Sequence, residues 1–306
     1  MNLPVSPQIT ISSANGLHRL AAVALTLLIA SNAMAHNDAP TRCDDCADWN
    51  QPTAPFRIFG NTYYIGVRGL SSVLIATPKG LIVLDGALPQ SAPLIEANIR
   101  ALGFRVEDIR YILNSHVHAD HAGGIARLQR DSGASVIASA EGATALRAGQ
   151  VPNDDPQVGY KNTRSFPRVA HVTTIRDSET VSLDGVDIVA HRTPGHTPGS
   201  TTWSWKSCDQ GQCYNIVYAD SLNALSFPGF RFTGGHGKPD ITSTFRDSIN
   251  KVVELPCDIL ITVHPGSSDL FRRAAMGSFV DSKACRVYAN DAMQTLEQRV
   301  RDERNK

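Results

Sequence analysis

The run His116-Val117-His118-Ala119-Asp120-His121 puts three imidazoles and a carboxylate within six positions. Packing does not account for it, because each buried polar group would need a partner of its own. Imidazole and carboxylate are donors that borderline divalent zinc accepts, so the run reads as a metal site. Residues two apart on an extended chain point the same way, so His116 and His118 can close on one ion. Asp120 and His121 are adjacent. In a turning loop they project in another direction, which suggests a second ion beside the first. Gly123-Gly124 lets the backbone turn closely under the site before Ile125-Ala126-Arg127-Leu128 begins a helix.

Two ions need more ligands, and two later histidines have suitable positions. His196 lies in the turn Thr193-Pro194-Gly195-His196-Thr197-Pro198-Gly199, directly after the strand-like Val186-Asp187-Ile188-Val189-Ala190. His264 follows the apolar run Asp258 to Val263, which Pro265-Gly266 ends. Both sit at a strand exit, where α/β sheets collect functional groups. His18 and His36 fall in or just after an N-terminal leader. His171 and His191 have no second ligand at useful spacing. His236, in Thr233-Gly234-Gly235-His236-Gly237, is a loop residue within possible reach of a cleft.

The elements that position these residues come in two passes. Phe56 to Gly66, Ser72 to Thr77 and Gly80 to Asp85 read as successive antiparallel strands. A helix over Pro93 to Leu102 follows, and Arg110 to Leu113 leads into the first histidine loop. The second pass starts near Thr180, with strands over Val186 to Ala190, Ser200 to Trp205 and Ile216 to Ala219. A helix over Thr244 to Glu254, the strand Asp258 to Val263 and a terminal helix from about Ala289 complete it. Two such halves predict an α/β sandwich of two sheets with helices outside. No linker separates them, so residues 36–306 are expected to form one domain.

The His-x-His-x-Asp-His run, the Gly195-His196 turn and the His264-Pro265-Gly266 strand exit resemble the metallo-β-lactamase superfamily, and within it the subclass B3 β-lactamases. Ala54 to Tyr64, Thr193 to Trp203 and Tyr218-Ala219-Asp220-Ser221-Leu222-Asn223 carry the likeness further. The resemblance implies a four-layer αβ/βα sandwich and two Zn²⁺ per chain. His116, His118 and His196 would hold one ion, and Asp120, His121 and His264 the other. It implies hydrolysis of a β-lactam amide, carbapenems included, by a zinc-bound hydroxide without a serine intermediate. The lactam carbonyl would face the first ion and the departing nitrogen the second, with Asp120 orienting the nucleophile. Ser221 and Asn223 would bind the substrate carboxylate or a zinc-bound water, and Gln157 and Phe227-Pro228 would border the cleft. If Asp220 instead bridged the metals, a secreted lactonase or glyoxalase-II-like thioesterase would be the alternative.

Composition is consistent with a compact exported enzyme. The 306 residues include 29 basic and 29 acidic side chains with no dense Lys/Arg run, which gives no support to nucleic-acid binding. His18 and Arg19 precede the apolar run Leu20 to Ala30, and Ala33-Met34-Ala35 has the small-residue pattern of a signal-peptidase site. Residues 1–35 are therefore expected to be a cleaved signal peptide, and the mature chain a periplasmic monomer without a membrane anchor. Export makes the six cysteines candidates for disulfides. Cys208 and Cys213 flank a hairpin tip. Cys43 and Cys46 suit a small terminal disulfide, and the B3 resemblance implies a Cys257–Cys285 bridge.

Overall fold

Along Gly80–Leu84, Leu81 and Val83 point to one side and Ile82 and Leu84 to the other, and all four are buried. A strand apolar on both faces has to be covered twice. The computed structural model, which describes residues 38–305 apart from His236, shows how. One sheet has seven strands in chain order: β1 (Phe56–Phe59), β2 (Thr62–Tyr64), β3 (Val73–Thr77), β4 (Gly80–Leu84), β5 (Ile109–Leu113), β6 (Ser135–Ala138) and β7 (Val172–Thr174). Strands β1 to β4 pair antiparallel and β4 to β7 parallel. The second sheet has the order β12-β11-β10-β9-β8, made of β8 (Thr180–Leu183), β9 (Val186–Arg192), β10 (Thr201–Asp209), β11 (Gln212–Ala219) and β12 (Ile259–Thr262).

Side-chain alternation sorts the core into three layers of contact. Between the sheets, Ile75, Ile82 and Leu84 meet Trp203, Tyr218 and Ile261. Outside the first sheet, Leu81, Val83 and Val136 are covered by α2 (Ala92–Ala101), α4 (Ile125–Ser132) and α5 (Ala140–Ala148), through Ile95, Leu128 and Leu146. Outside the second, Val217, Ala219 and Leu260 are covered by α6 (Thr242–Glu254) and α8 (Ala284–Arg304), through Phe245, Ile249 and Leu296. The result is the four-layer αβ/βα sandwich, with apolar burial on both faces of both sheets supplying the main driving force. Short helices α1 (Cys46–Trp49), α3 (Ala119–Ala122) and α7 (Leu270–Ala275) lie in the connections.

Several boundaries differ from the sequence expectation. The strand expected over Phe56 to Gly66 is a hairpin, because Gly60 takes φ +53° and a Cβ there would stand 2.3 Å from Ser207 Oγ. The terminal helix begins at Ala284, five positions before Ala289, where the Cys257–Cys285 disulfide anchors it. Cys208–Cys213 crosslinks directly paired positions of β10 and β11, and Cys43–Cys46 closes the turn entering α1. The leader 1–35, His18, His36 and His236 lie outside the described residues. Among the described helices none is long and apolar enough to cross a membrane.

Candidate active site

The histidine loop leaves β5 at the edge where the two sheets meet, and a buried carboxylate fixes it there. Asp85, just after β4, accepts from Asn114 Nδ2 (3.1 Å), Ser115 N (2.8 Å), Ser115 Oγ (2.5 Å) and Tyr218 Oη (2.9 Å). These bonds join β4, the start of the loop and β11. They also offset the backbone strain of Asp85 at φ +57°. Burial raises the Asp85 carboxyl to about 6, against the lowering effects of His121 and its donors. From the second sheet, Thr201 N donates to Ser115 O (2.8 Å) and Trp203 Nε1 to Asn114 O (3.2 Å). Below the loop, a Cβ on Gly124 would lie 2.1 Å from Gly86 O, so the close backbone approach expected of Gly123-Gly124 is real.

His116, His118 and His196 converge with ligand atoms all within 4.8 Å of one another, and they form a metal site. One nitrogen of each ring is tied behind it. His116 Nδ1 pairs with Asp220 Oδ1 at 2.6 Å, and His118 Nε2 with the Asp155 carboxylate at 3.1 and 3.2 Å. His196 Nδ1 donates to Asn223 O at 2.9 Å. The opposite nitrogens, His116 Nε2, His118 Nδ1 and His196 Nε2, are left for an ion. His116 Nε2 is fully buried without a hydrogen-bond partner, an orphan that a cation would satisfy. Burial, reinforced by His116 and His118, lowers His196 to about 3, so it is neutral and able to ligate at physiological pH.

A second group shares the loop. Asp120 and His121, on α3, lie with His116 in a cluster whose ligand atoms are again within 4.8 Å. His264, at the exit of β12, directs Nε2 to 3.3 Å from Asp120 Oδ2, while its Nδ1 is tied to Gly69 O at 3.2 Å. His121 Nε2 is 3.1 Å from the same oxygen without hydrogen-bond geometry, and neither nitrogen of this buried ring has a hydrogen-bond partner. Burial opposes ionisation of Asp120, but the His121 and His264 imidazoles beside it hold it well below the usual carboxylate range. The donor set suits zinc.

Both groups open on a cleft of about 700 Å³. Of the residues expected to meet substrate, Ser221, Asn223, Gln157 and Phe227 line it, and Pro228 does not. Gln157 Nε2 stands 3.4 Å from His196 Nε2. Asn223 contributes its carbonyl to His196 besides exposing its side chain. Asp220 lies behind the His116 ring rather than between the two groups.

Comparison with known proteins agrees with this geometry. The family model described as the metallo-beta-lactamase superfamily matches residues 65–209. The structure of the Rm3 metallo-beta-lactamase superimposes with a TM-score of 0.82 at 48% identity, covering 86% of this chain and 99% of that one. That of MEM-A1, a subclass B3 metallo-beta-lactamase from a soil metagenome library, gives 0.81 at 47% identity, covering 84% and 99%. The chain belongs to the metallo-β-lactamase superfamily. It is a zinc-dependent hydrolase, and these structural neighbours resemble it over nearly their whole length. A probable metallo-hydrolase of Burkholderia pseudomallei is 31% identical over 173 residues, and the match spans about half of either chain, 54% of each.

Sequence reasoning missed parts of this metallo-β-lactamase site. Asp155 carried only the signal of a turn-forming residue in Asn153-Asp154-Asp155-Pro156. Trp49, whose ring is 5.2 Å from that of His264, gave no signal of its own. The Cys43–Cys46 turn, expected as a terminal clip, lines the cleft with Asp44 and Asp45. His191 keeps its bland role, bonded to Ser204 Oγ at 2.7 Å.

Proposed function

We propose that the protein is an exported, monomeric dizinc β-lactamase that opens β-lactam rings, carbapenems included, in the periplasm. Residues 1–35 are the export signal and 36–306 a single metallo-β-lactamase domain. The observation that carries the reading is the pair of ligand groups on one cleft, the first built from buried donors and most of the imidazoles with the far nitrogen held. His116, His118 and His196 hold one zinc, and Asp120, His121 and His264 the other. When bound, zinc supplies Lewis acidity and lowers the pKa of coordinated water to about 7, which makes hydroxide available at neutral pH.

The chain's own residues do the rest. Asp120 has Oδ2 engaged by two imidazoles, which leaves Oδ1 to orient the attacking water and accept its proton. The Gln157 amide, beside His196, is placed to donate to the substrate's carbonyl groups. Ser221 and Asn223 receive the ring carboxylate. The lactonase or thioesterase alternative required Asp220 to bridge the two groups, and its 2.6 Å contact with the rear nitrogen of His116 speaks against that role.

The test compares turnover of nitrocefin and imipenem with that of a homoserine lactone and an acylglutathione, with and without EDTA. Chelator-sensitive turnover of the two lactams is expected. Lactone or thioester hydrolysis without lactam turnover by zinc-loaded protein contradicts the proposal.

A further inference from the structure

We infer that the Cys43–Cys46 turn is a specificity wall, on which Asp44 and Asp45 favour β-lactams carrying a positive charge on the fused-ring substituent. The inference rests on the β-lactam reading above and adds a substrate class to it.

The wall is built into the fold rather than loosely appended. Cys46 is 5% exposed and packs in the core beside α2, and its disulfide with Cys43 closes the turn that carries the two aspartates. Before the turn, Thr41 exchanges two hydrogen bonds with the Gln90 side chain, at 3.1 and 2.9 Å. After it, Ser91 Oγ donates to Asn50 Oδ1 at 2.5 Å, Gly69 N to Trp49 O at 2.9 Å, and Arg68 N to Gln51 O at 2.8 Å. Asp44 and Asp45 therefore stand exposed on a fixed surface of the cleft.

Another wall of the cleft is the Gln157–Thr163 segment. It is braced by Tyr160, which donates to Ser226 O at 3.2 Å and packs edge-on against Phe227 at 5.4 Å. Its charged side chain in the cleft is Lys161. The cleft is thus acidic on one wall and basic on another.

Orientation decides which part of a substrate meets which wall. Gln157 lies beside His196, while Trp49 of α1 lies against His264. With the lactam carbonyl toward His116, His118 and His196, the ring nitrogen and its fused ring extend toward Asp120 and His264. The fused-ring substituent then faces Asp44 and Asp45, and the acylamino side chain faces Tyr160 and Phe227. Exposed carboxylates act through solvent, so their attraction is modest and sensitive to salt, with a Debye length of about 8 Å at physiological ionic strength and about 3 Å at 1 M.

The test uses two cephalosporins with the same thienylacetyl side chain, one bearing a pyridinium-methyl and the other an acetoxymethyl group on the fused ring. At low ionic strength the zinc-loaded enzyme is expected to show a lower KM for the cationic substrate, by about threefold to tenfold. That preference should shrink in 1 M salt and collapse in the D44N/D45N double variant, mainly through KM. D48N, on the helix that follows the turn but outside the cleft, should leave it in place. An unchanged KM ratio in a folded D44N/D45N protein overturns the inference, as does equal loss in D48N. Turnover of neither cephalosporin overturns the β-lactam reading and this inference with it.

Discussion

Asp155 acts through its neighbour: its carboxylate holds His118 Nε2 and so directs Nδ1 toward the ion. Partners of this kind orient a ligand and raise its basicity, and losing one lowers metal affinity by about 10- to 100-fold. Asp155→Ala is therefore expected to weaken zinc binding by that factor in a chelator competition; unchanged affinity would remove Asp155 from the account. Asp120→Ala should lower β-lactam turnover by about 10²- to 10⁴-fold while the protein stays folded by circular dichroism. Retained turnover contradicts the role given to Asp120. The six proposed ligands were legible in the sequence because imidazole and carboxylate declare their chemistry, by density in one loop and by position at strand exits. Asp85, Asp155 and Trp49 were not, since an ordinary aspartate or tryptophan acquires its role only from neighbours that the fold brings up.

At the scale of elements, the loop over 230–233 hangs on the last turn of α8. Glu303, 5% exposed, accepts from Phe232 N at 3.1 Å, Thr233 N at 2.9 Å and Thr233 Oγ1 at 2.9 Å, and it pairs with Arg299 at 2.7 Å. Glu303→Ala leaves one buried and one half-buried backbone donor without their acceptor and is expected to cost about 1–3 kcal/mol in urea unfolding. A variant as stable as the parent contradicts this anchoring. Apolar runs made β3, β4, β11 and β12 readable, and alternation β9, because buried and apolar positions coincide there. The β1–β2 break was hidden, since it depends on Gly60 fitting against Ser207 of a distant strand. Strands β6, β7 and β8 and helix α5 were missed: the strands are short, and the buried face of α5 is mostly alanine and glycine, which gives little periodic contrast.

Over the whole molecule, stability should follow its depressed carboxyls. Asp281 is held low by a hydrogen bond from Arg273 and then by the Lys283 N–H. Burial raises Glu303, but hydrogen bonds from Arg299 and from the backbone at Thr233 and Phe232 outweigh it and hold it low. Groups of this sign stabilise the fold above the ordinary carboxylate range, and the contribution is lost as pH falls through their folded values. Asp85, raised to about 6, has the opposite sign: its ionisation above that pH costs stability, and protonation recovers it. Metal-free protein is thus expected to gain slightly in melting temperature from pH 7 to about 5, as Asp85 protonates, and to lose it below about 4. A melting temperature that rises below pH 4 contradicts the assignment. The central claim is that two neighbouring sets of side chains make one zinc-dependent β-lactam hydrolase. It is tested most directly by adding zinc stepwise to metal-free protein while bound metal and imipenem turnover are measured together. Turnover should be absent without metal and rise with zinc to two ions bound per chain; turnover that is independent of zinc, or absent at full occupancy, would contradict the account.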